Sequence, residues 1–319
     1  MVDSVGLHMR TQDMILLVCS FSAMAFGVFM PFIGEPLAWF PRVSMLCMLF
    51  ICFLGVDGLD AWQNLTHYPV LVFLLVFLKL IVMPIVCWGI VYFVMPEYAI
   101  AAALVGGAAT AVAAPFFAFM VQADVVLVMV SLVTTSLLLP VTLPLILAFI
   151  GRLAQVEGGI QVELPVLAMI LSLSTMIVIP FAGAQLLRRI GPKLSKVIFD
   201  FRQYLFLSTS SLTMMIIFAQ YSSVILQSPQ SVFLTFVCAM ATGLFVFVFV
   251  AAITFWLPPV KQLAFIISCV AVNNVVVLIM AVDFFDVPEA LITAMYCGVL
   301  FSVLPLYRML GKLRGHDPK

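Results

Sequence analysis

The stretch AIAAALVGGAATAVAAPFFAFMVQ, residues 99–122, is long and apolar enough to cross a lipid bilayer, yet it carries Gly106-Gly107 and Pro115 well inside it. A spanning helix needs about 20 apolar residues to cross a hydrocarbon core of about 30 Å. Proline lacks a backbone N–H and clashes with the preceding turn. We therefore expect the helix to stop before Pro115 and to restart with this proline in its first turn.

Two explanations of this interruption remain open. Glycine and proline are frequent in membrane helices, so Pro115 can mark an ordinary kink between packed helices. Alternatively, the restarted helix points free N–H groups at a buried or water-filled cavity, where such groups attract anions. Both explanations assume that the chain spans a membrane.

The composition places the whole chain in that class. Its 319 residues are 65% hydrophobic and 9% charged, with a mean hydropathy of +1.28, whereas soluble domains are about a quarter charged. The 14 basic and 14 acidic residues cancel, so net charge favours neither nucleic acid nor an anionic membrane surface as partner. The seven cysteines lie in apolar runs without a CxxC pair, and they indicate neither a disulfide framework nor a metal or cofactor site.

Ten apolar runs are candidates for membrane spans, with the lipid bilayer as their partner. Their predicted bounds are 14–33, 38–56, 69–95, 99–121, 124–150, 164–187, 203–226, 230–257, 261–282 and 289–309. Most lysines and arginines fall on one side if the N-terminus is cytoplasmic, with Arg42 and Arg152 on the other side. The pattern predicts an inner-membrane protein of bacterial type with both termini in the cytoplasm.

A hydrophilic connection at 151–165 divides the chain into five spans and five spans. If residues 166–319 repeat residues 1–150, the odd number of spans requires the second half to run upside down in the membrane. Inverted repeats are typical of secondary transporters, whose substrate sites lie near the midplane on discontinuous helices.

Two further polar features lie deep in other spans. Asn273-Asn274 sits among valines and isoleucines of the ninth span, where each carboxamide needs a hydrogen-bond partner in a region without water. Lys79 is about ten residues from one end of the third span and about sixteen from the other, too deep to reach an interface easily. No Asp or Glu lies at comparable depth. The lysine is then neutral, or solvated by carboxamides and carbonyls, or facing a cavity that receives anions or protons.

Five stretches resemble the bile acid:sodium symporter family in their order and spacing. They are MLFICFLGVDGLDAW (48–62), HYPVLVFLLVFLKLIVMP (67–84), GGAATAVAAPFFAFMVQADVVLVMVSLVTTSLLLPVTLP (106–144), ISCVAVNNVVV (267–277) and GVLFSV (298–303). The resemblance implies an all-α integral membrane fold of ten transmembrane helices in two inverted five-helix repeats. It implies a panel domain of helices 1, 2, 6 and 7 and a core domain of helices 3, 4, 5, 8, 9 and 10. In the core, helices 4 and 9 are broken and cross.

The chain departs from the family at most positions that the resemblance assigns to sodium binding. Lys79 stands where the family has a glutamine, Ala114-Pro115 where it has Ser-Asn, and Val128 and Leu132 where it has hydroxyl residues. The remaining departures, in the ninth helix, are Cys269 and Asn273 in place of Glu and Gln, with Asn274 retained. We therefore expect no sodium coupling, and the ammonium group of Lys79 in the region where relatives hold sodium.

The function that the resemblance implies is secondary transport of a small organic anion by alternating access, which we expect protons or the substrate gradient to drive. An auxin-efflux-like carrier and a non-transporting membrane sensor or assembly factor are the alternatives. An enzyme is not expected, since no HExxH, paired-aspartate or Ser-His pattern is present and His8, His67 and His316 lie outside the spans. The predicted substrate-binding residues are Lys79, Thr110, Pro115, Ser131, Ser268, Asn273 and Asn274. Thr134 and Thr135 are weaker candidates because a membrane-helix threonine often bonds its own preceding carbonyl.

Overall fold

A computed structural model describes residues 11–34, 36–55, 69–156, 165–285 and 287–313. This part of the chain is helical, with fifteen α-helices. They are α1 Thr11–Phe29, α2 Phe40–Leu54, α3 Pro69–Val94, α4 Ala99–Gly107, α5 Ala114–Met120, α6 Val125–Val156, α7 Val166–Ile190, α8 Pro192–Asp200, α9 Arg202–Gln220, α10 Ser222–Gln227, α11 Pro229–Ile253, α12 Pro259–Val270, α13 Asn274–Phe284, α14 Val287–Ser302 and α15 Leu304–Leu313.

Four of these helices are each long and apolar enough to cross a bilayer: α3, α6 (over Val125–Leu153), α7 and α11. Four other predicted spans are interrupted, as α4–α5, α9–α10, α12–α13 and α14–α15. The last break has a local cause, because Pro305 has no N–H with which to continue the backbone bonds past Val303. The protein is an integral membrane protein.

The amphipathic helix α8 was not predicted from the sequence. It lies between the predicted sixth and seventh spans and begins with Pro192 in its first turn. Lys193 and Lys196 are exposed beside the exposed apolar residues Leu194 and Val197. A nine-residue segment that mixes charged and apolar residues does not stand out in the sequence as an apolar run.

Most contacts between helices fall into two sets, and the packing of α6 against α7 joins the two. In the first helix group, α1 packs along α9, and α2 packs against both α7 and α9. In the second helix group, α3 packs on α4, α12 contacts α6 and α11, and α14 contacts α4, α11 and α13.

The centre of the second helix group is deeply buried. All residues of 262–281 are buried, as are those of 101–111. A Cβ atom on Gly106 would lie 2.9 Å from the carbonyl oxygen of Met83, a distance that real Cβ contacts do not tolerate. Glycine therefore lets α4 approach the backbone of α3 at the level where α4 ends.

Candidate substrate site at the helix crossing

The fourth span is interrupted where the sequence predicts. Helix α4 ends at Gly107, Ala108 is extended, and α5 begins at Ala114 with Pro115 in its first turn. The expectation of free N–H groups at this restart is wrong for two of them, because the N–H of Ala114 donates to Ala111 O at 3.0 Å and that of Phe116 to Ala113 O at 3.0 Å. A tight turn before α5 supplies these carbonyls.

The ninth span is interrupted between Val270 and Asn274, and the two interruptions pair with each other. Thr110 and Val272 form an antiparallel bridge. The N–H of Ala111 donates to Ala271 O at 2.7 Å, and the N–H of Asn273 donates to Ala109 O at 2.7 Å. Backbone groups released from helical geometry at this depth thus bond across the crossing instead of to water.

The C-terminal end of α12 faces the same crossing. The last four carbonyls of an α-helix lack intrahelical partners, and here each has a donor. The pairs are Ile267 O with Ala271 N (2.8 Å), Ser268 O with Thr110 Oγ1 (3.1 Å), Cys269 O with Lys79 Nζ (2.8 Å) and Val270 O with Tyr296 OH (3.0 Å). Three of the four donors come from outside α12 and its own cap, and they hold this helix end in place.

Lys79 is fully buried, and its Nζ reaches the end of α12. It lies in a π-helical turn, Leu78–Val82, within α3; such single wide turns are frequent at functional sites. A helix C-terminus carries partial negative charge, so a cation is favourable there. Within the described residues Lys79 has no salt bridge, so the backbone carbonyl of Cys269 takes the place of a carboxylate partner.

Hydroxyl groups of α6 complete one side of the crossing. Thr110 Oγ1 lies 3.1 Å from Ser131 Oγ, and the N–H of Thr110 donates to Thr135 Oγ1 at 3.1 Å. Thr135 also donates to Ser131 O, its own preceding turn, at 2.7 Å. Thr134 bonds only to its own helix, at Val130 O. Thr135 is therefore closer to the crossing than the sequence suggested, and Thr134 is not part of it.

The two asparagines have different surroundings. Asn273 lies in the break and contributes its backbone N–H to the crossing. Asn274 begins α13, and its side-chain amide donates to the carbonyl of Thr293 on α14. The Asn274 carboxamide thus faces α14, whereas Asn273 meets the crossing through its backbone. Both are at most 7% exposed.

The structure brings five of the seven predicted residues together at the crossing: Lys79, Thr110, Ser131, Ser268 and Asn273. Ser268 Oγ is buried without a hydrogen-bond partner in the described structure, whereas its backbone carbonyl is bonded to Thr110. Asn274 points to α14, and Pro115 contributes only the start of α5. Sequence reasoning missed Tyr296. Its only signal was a single hydroxyl-bearing ring inside an apolar span.

The model of the Sodium Bile acid symporter family matches residues 42–228, more than half of the chain. The protein belongs to the sodium bile acid symporter family. No curated protein matches the chain. The matched range includes Lys79 and the break between α4 and α5. Membership of this family identifies the protein as a membrane transporter of the bile acid symporter kind.

Proposed function

We propose that this member of the sodium bile acid symporter family carries a small organic anion across the membrane by alternating access and without sodium. The observation that supports the proposal is the Lys79 ammonium group, 2.8 Å from Cys269 O at the end of α12. A cation is thus already present where two broken helices meet. The lysine offsets the partial negative charge at the end of α12. It also supplies the positive charge that attracts an anion, so no bound sodium ion is needed for this.

The substrate-binding residues we propose are the seven predicted from the sequence, with Tyr296 added. Lys79 supplies the positive charge, and Ser268 Oγ is a buried hydroxyl with no partner in the described structure. Thr110 and Ser131 share a hydroxyl contact beside it. The first N–H groups of α13, next to Asn273 and Asn274, have no carbonyl within their own helix, and this end of α13 favours an anion.

The same proposal includes the ten-span, inverted-repeat organisation with cytoplasmic termini. The first helix group, α1, α2, α7 and α9, would be the panel domain, and the second helix group the core domain. Contacts of α2 with α7 and α9, and of α14 with α4, α11 and α13, are consistent with this division. Relative motion of the two groups would expose the crossing to each side in turn, coupled to protons or to the substrate gradient.

Uptake by reconstituted protein tests the proposal. Proteoliposomes are supplied with a panel of radiolabelled monocarboxylates and taurocholate, with potassium or choline as the external cation. We expect saturable uptake of at least one anion by the parent and by Lys193→Met, and none by Lys79→Met. Lys193→Met is the matched control because Lys193 is exposed on α8. If no member of a broad anion panel enters, or Lys79→Met transports like the parent, the proposal is wrong.

A further inference from the structure

An ion pair links the two helix groups at a distance from the crossing. Arg42 Nη2 lies 2.6 Å from Asp283 Oδ1 and 2.7 Å from Oδ2. Arg42 is in the first turn of α2, and Asp283 is in the last turn of α13. One nitrogen held by both carboxylate oxygens is a short, charge-assisted contact, and it joins residues 241 positions apart in the sequence.

Each charge sits at the unfavourable end of its own helix. A helix N-terminus carries partial positive charge and a C-terminus partial negative charge. Arg42 is a cation at the start of α2, and Asp283 is an anion at the end of α13. Neither helix gains stability from its own charge, so the pair is explained by the contact between the two helices.

The helix that carries Asp283 also begins at the proposed substrate site. Asn274 starts α13 and lies nine residues before Asp283, which corresponds to roughly 14 Å along a rigid helix. The intervening residues through Ala281 are all buried. A tilt or shift of α13 at the crossing therefore moves the Asp283 carboxylate relative to α2.

We propose that the Arg42–Asp283 pair is a latch between the two helix groups, closed in this structure and opened when the groups separate at this end during the transport cycle. The inference rests on the proposed alternating-access function. A static surface ion pair is the alternative, because the Arg42 side chain is 53% exposed and most exposed pairs contribute little to stability.

Hydrogen–deuterium exchange of the purified full chain in nanodiscs, without substrate, distinguishes a latch from a static surface ion pair. The variants are Arg42→Ala, Asp283→Ala, the double alanine variant, and the reversed pair Arg42→Asp/Asp283→Arg. Arg152→Ala is the control, since it removes an exposed arginine at the end of α6 and leaves the pair intact. A latch predicts several-fold faster exchange in the first turn of α2, the last turn of α13 and the segments 108–113 and 271–273 for each single variant. The double variant should exchange no faster in these segments than the single variants.

The reversed pair gives the sharpest outcome. It keeps the attraction and places an anion at the start of α2 and a cation at the end of α13, where both suit the helix dipoles. We expect exchange at or below the parental rate. Unchanged exchange in both single variants, or an even rise that includes α7 and α11, would overturn the latch. Failure of anion uptake in the parent, with these exchange changes present, would instead reject the transport function and leave the closed contact established.

Discussion

The free energy of the buried ammonium group of Lys79 is a balance of opposing contributions. A lysine at the centre of a bilayer costs about 2.5–3.5 kcal/mol even on the translocon-insertion scale. Its bond to Cys269 O satisfies a buried carbonyl that would otherwise cost about 1–3 kcal/mol, at a helix end that favours a cation. The side chain is thus held at nearly no net cost and is available for function.

The same balance predicts the effect of Lys79→Met. The substitution removes the cost of the charge but leaves Cys269 O without its donor, so the free energy of unfolding should change by no more than about 1–2 kcal/mol. Anion binding should be lost, because the remaining site is neutral. Lys79→Arg should retain part of the binding. Thermal unfolding and calorimetric titration with an anion identified by uptake measure the two effects, with Lys193→Met as the control. Parental affinity and an unaltered pH dependence in Lys79→Met would show that the lysine is structural.

At the scale of helices, the end of α12 is stabilised by groups from three other parts of the chain: α3, the break after α4, and α14. Two buried tyrosines test this arrangement. Tyr296 OH donates to Val270 O at 3.0 Å. Tyr307 OH is buried without a hydrogen-bond partner in the described structure, while its ring packs 5.7 Å from that of Phe247.

We predict different effects of the two Tyr→Phe substitutions on the free energy of unfolding. Tyr296→Phe leaves the carbonyl of Val270 unsatisfied and should lower the free energy of unfolding by about 1–3 kcal/mol. Tyr307→Phe removes an unsatisfied hydroxyl and keeps the ring, so it should be neutral or slightly stabilising. Unfolding midpoints in one detergent compare them directly. Equal losses in both variants would mean that the helix end does not depend on the Tyr296 hydroxyl.

Local sequence signals predicted the break in the fourth span, because glycine and proline act on the backbone where they stand, whereas the break in the ninth span was implied only by the family resemblance. Local signals did not predict which groups hydrogen-bond to the backbone at the breaks. The Lys79–Cys269 bond joins residues 190 positions apart, and the Tyr296–Val270 bond depends on how α14 packs. The expectation of free N–H groups at the start of α5 was wrong for Ala114 and Phe116 for the same reason, since the turn that satisfies them depends on the path of the chain between α4 and α5.

For the whole molecule, composition alone predicted the membrane class, and the resemblance predicted the family that the comparison confirms. Ten spans in two inverted repeats remain a proposal. Interrupted helices such as α4 and α5 are individually too short to cross the bilayer. Counting long single helices therefore gives fewer spans than counting apolar runs in the sequence. Two of the four interrupted spans, α4–α5 and α12–α13, meet at the crossing, which is where a carrier needs irregular backbone.

Sodium independence is the last prediction, and it concerns the protein as a whole. Hard cations require several oxygen ligands, but Val128 and Leu132 offer only hydrocarbon, Cys269 offers a thiol, and Cys269 O already accepts from Lys79. A sodium ion would also meet the ammonium charge. A ligand present at 100 times its Kd stabilises the folded state by about 2.7 kcal/mol, so a specific sodium site would raise the unfolding midpoint measurably. We expect equal midpoints in sodium, potassium and choline chloride at matched ionic strength, both for the parent and for Lys79→Gln, which restores only one of the family's side chains. A saturable rise specific to sodium in the parent would mean that the crossing binds sodium despite the lysine.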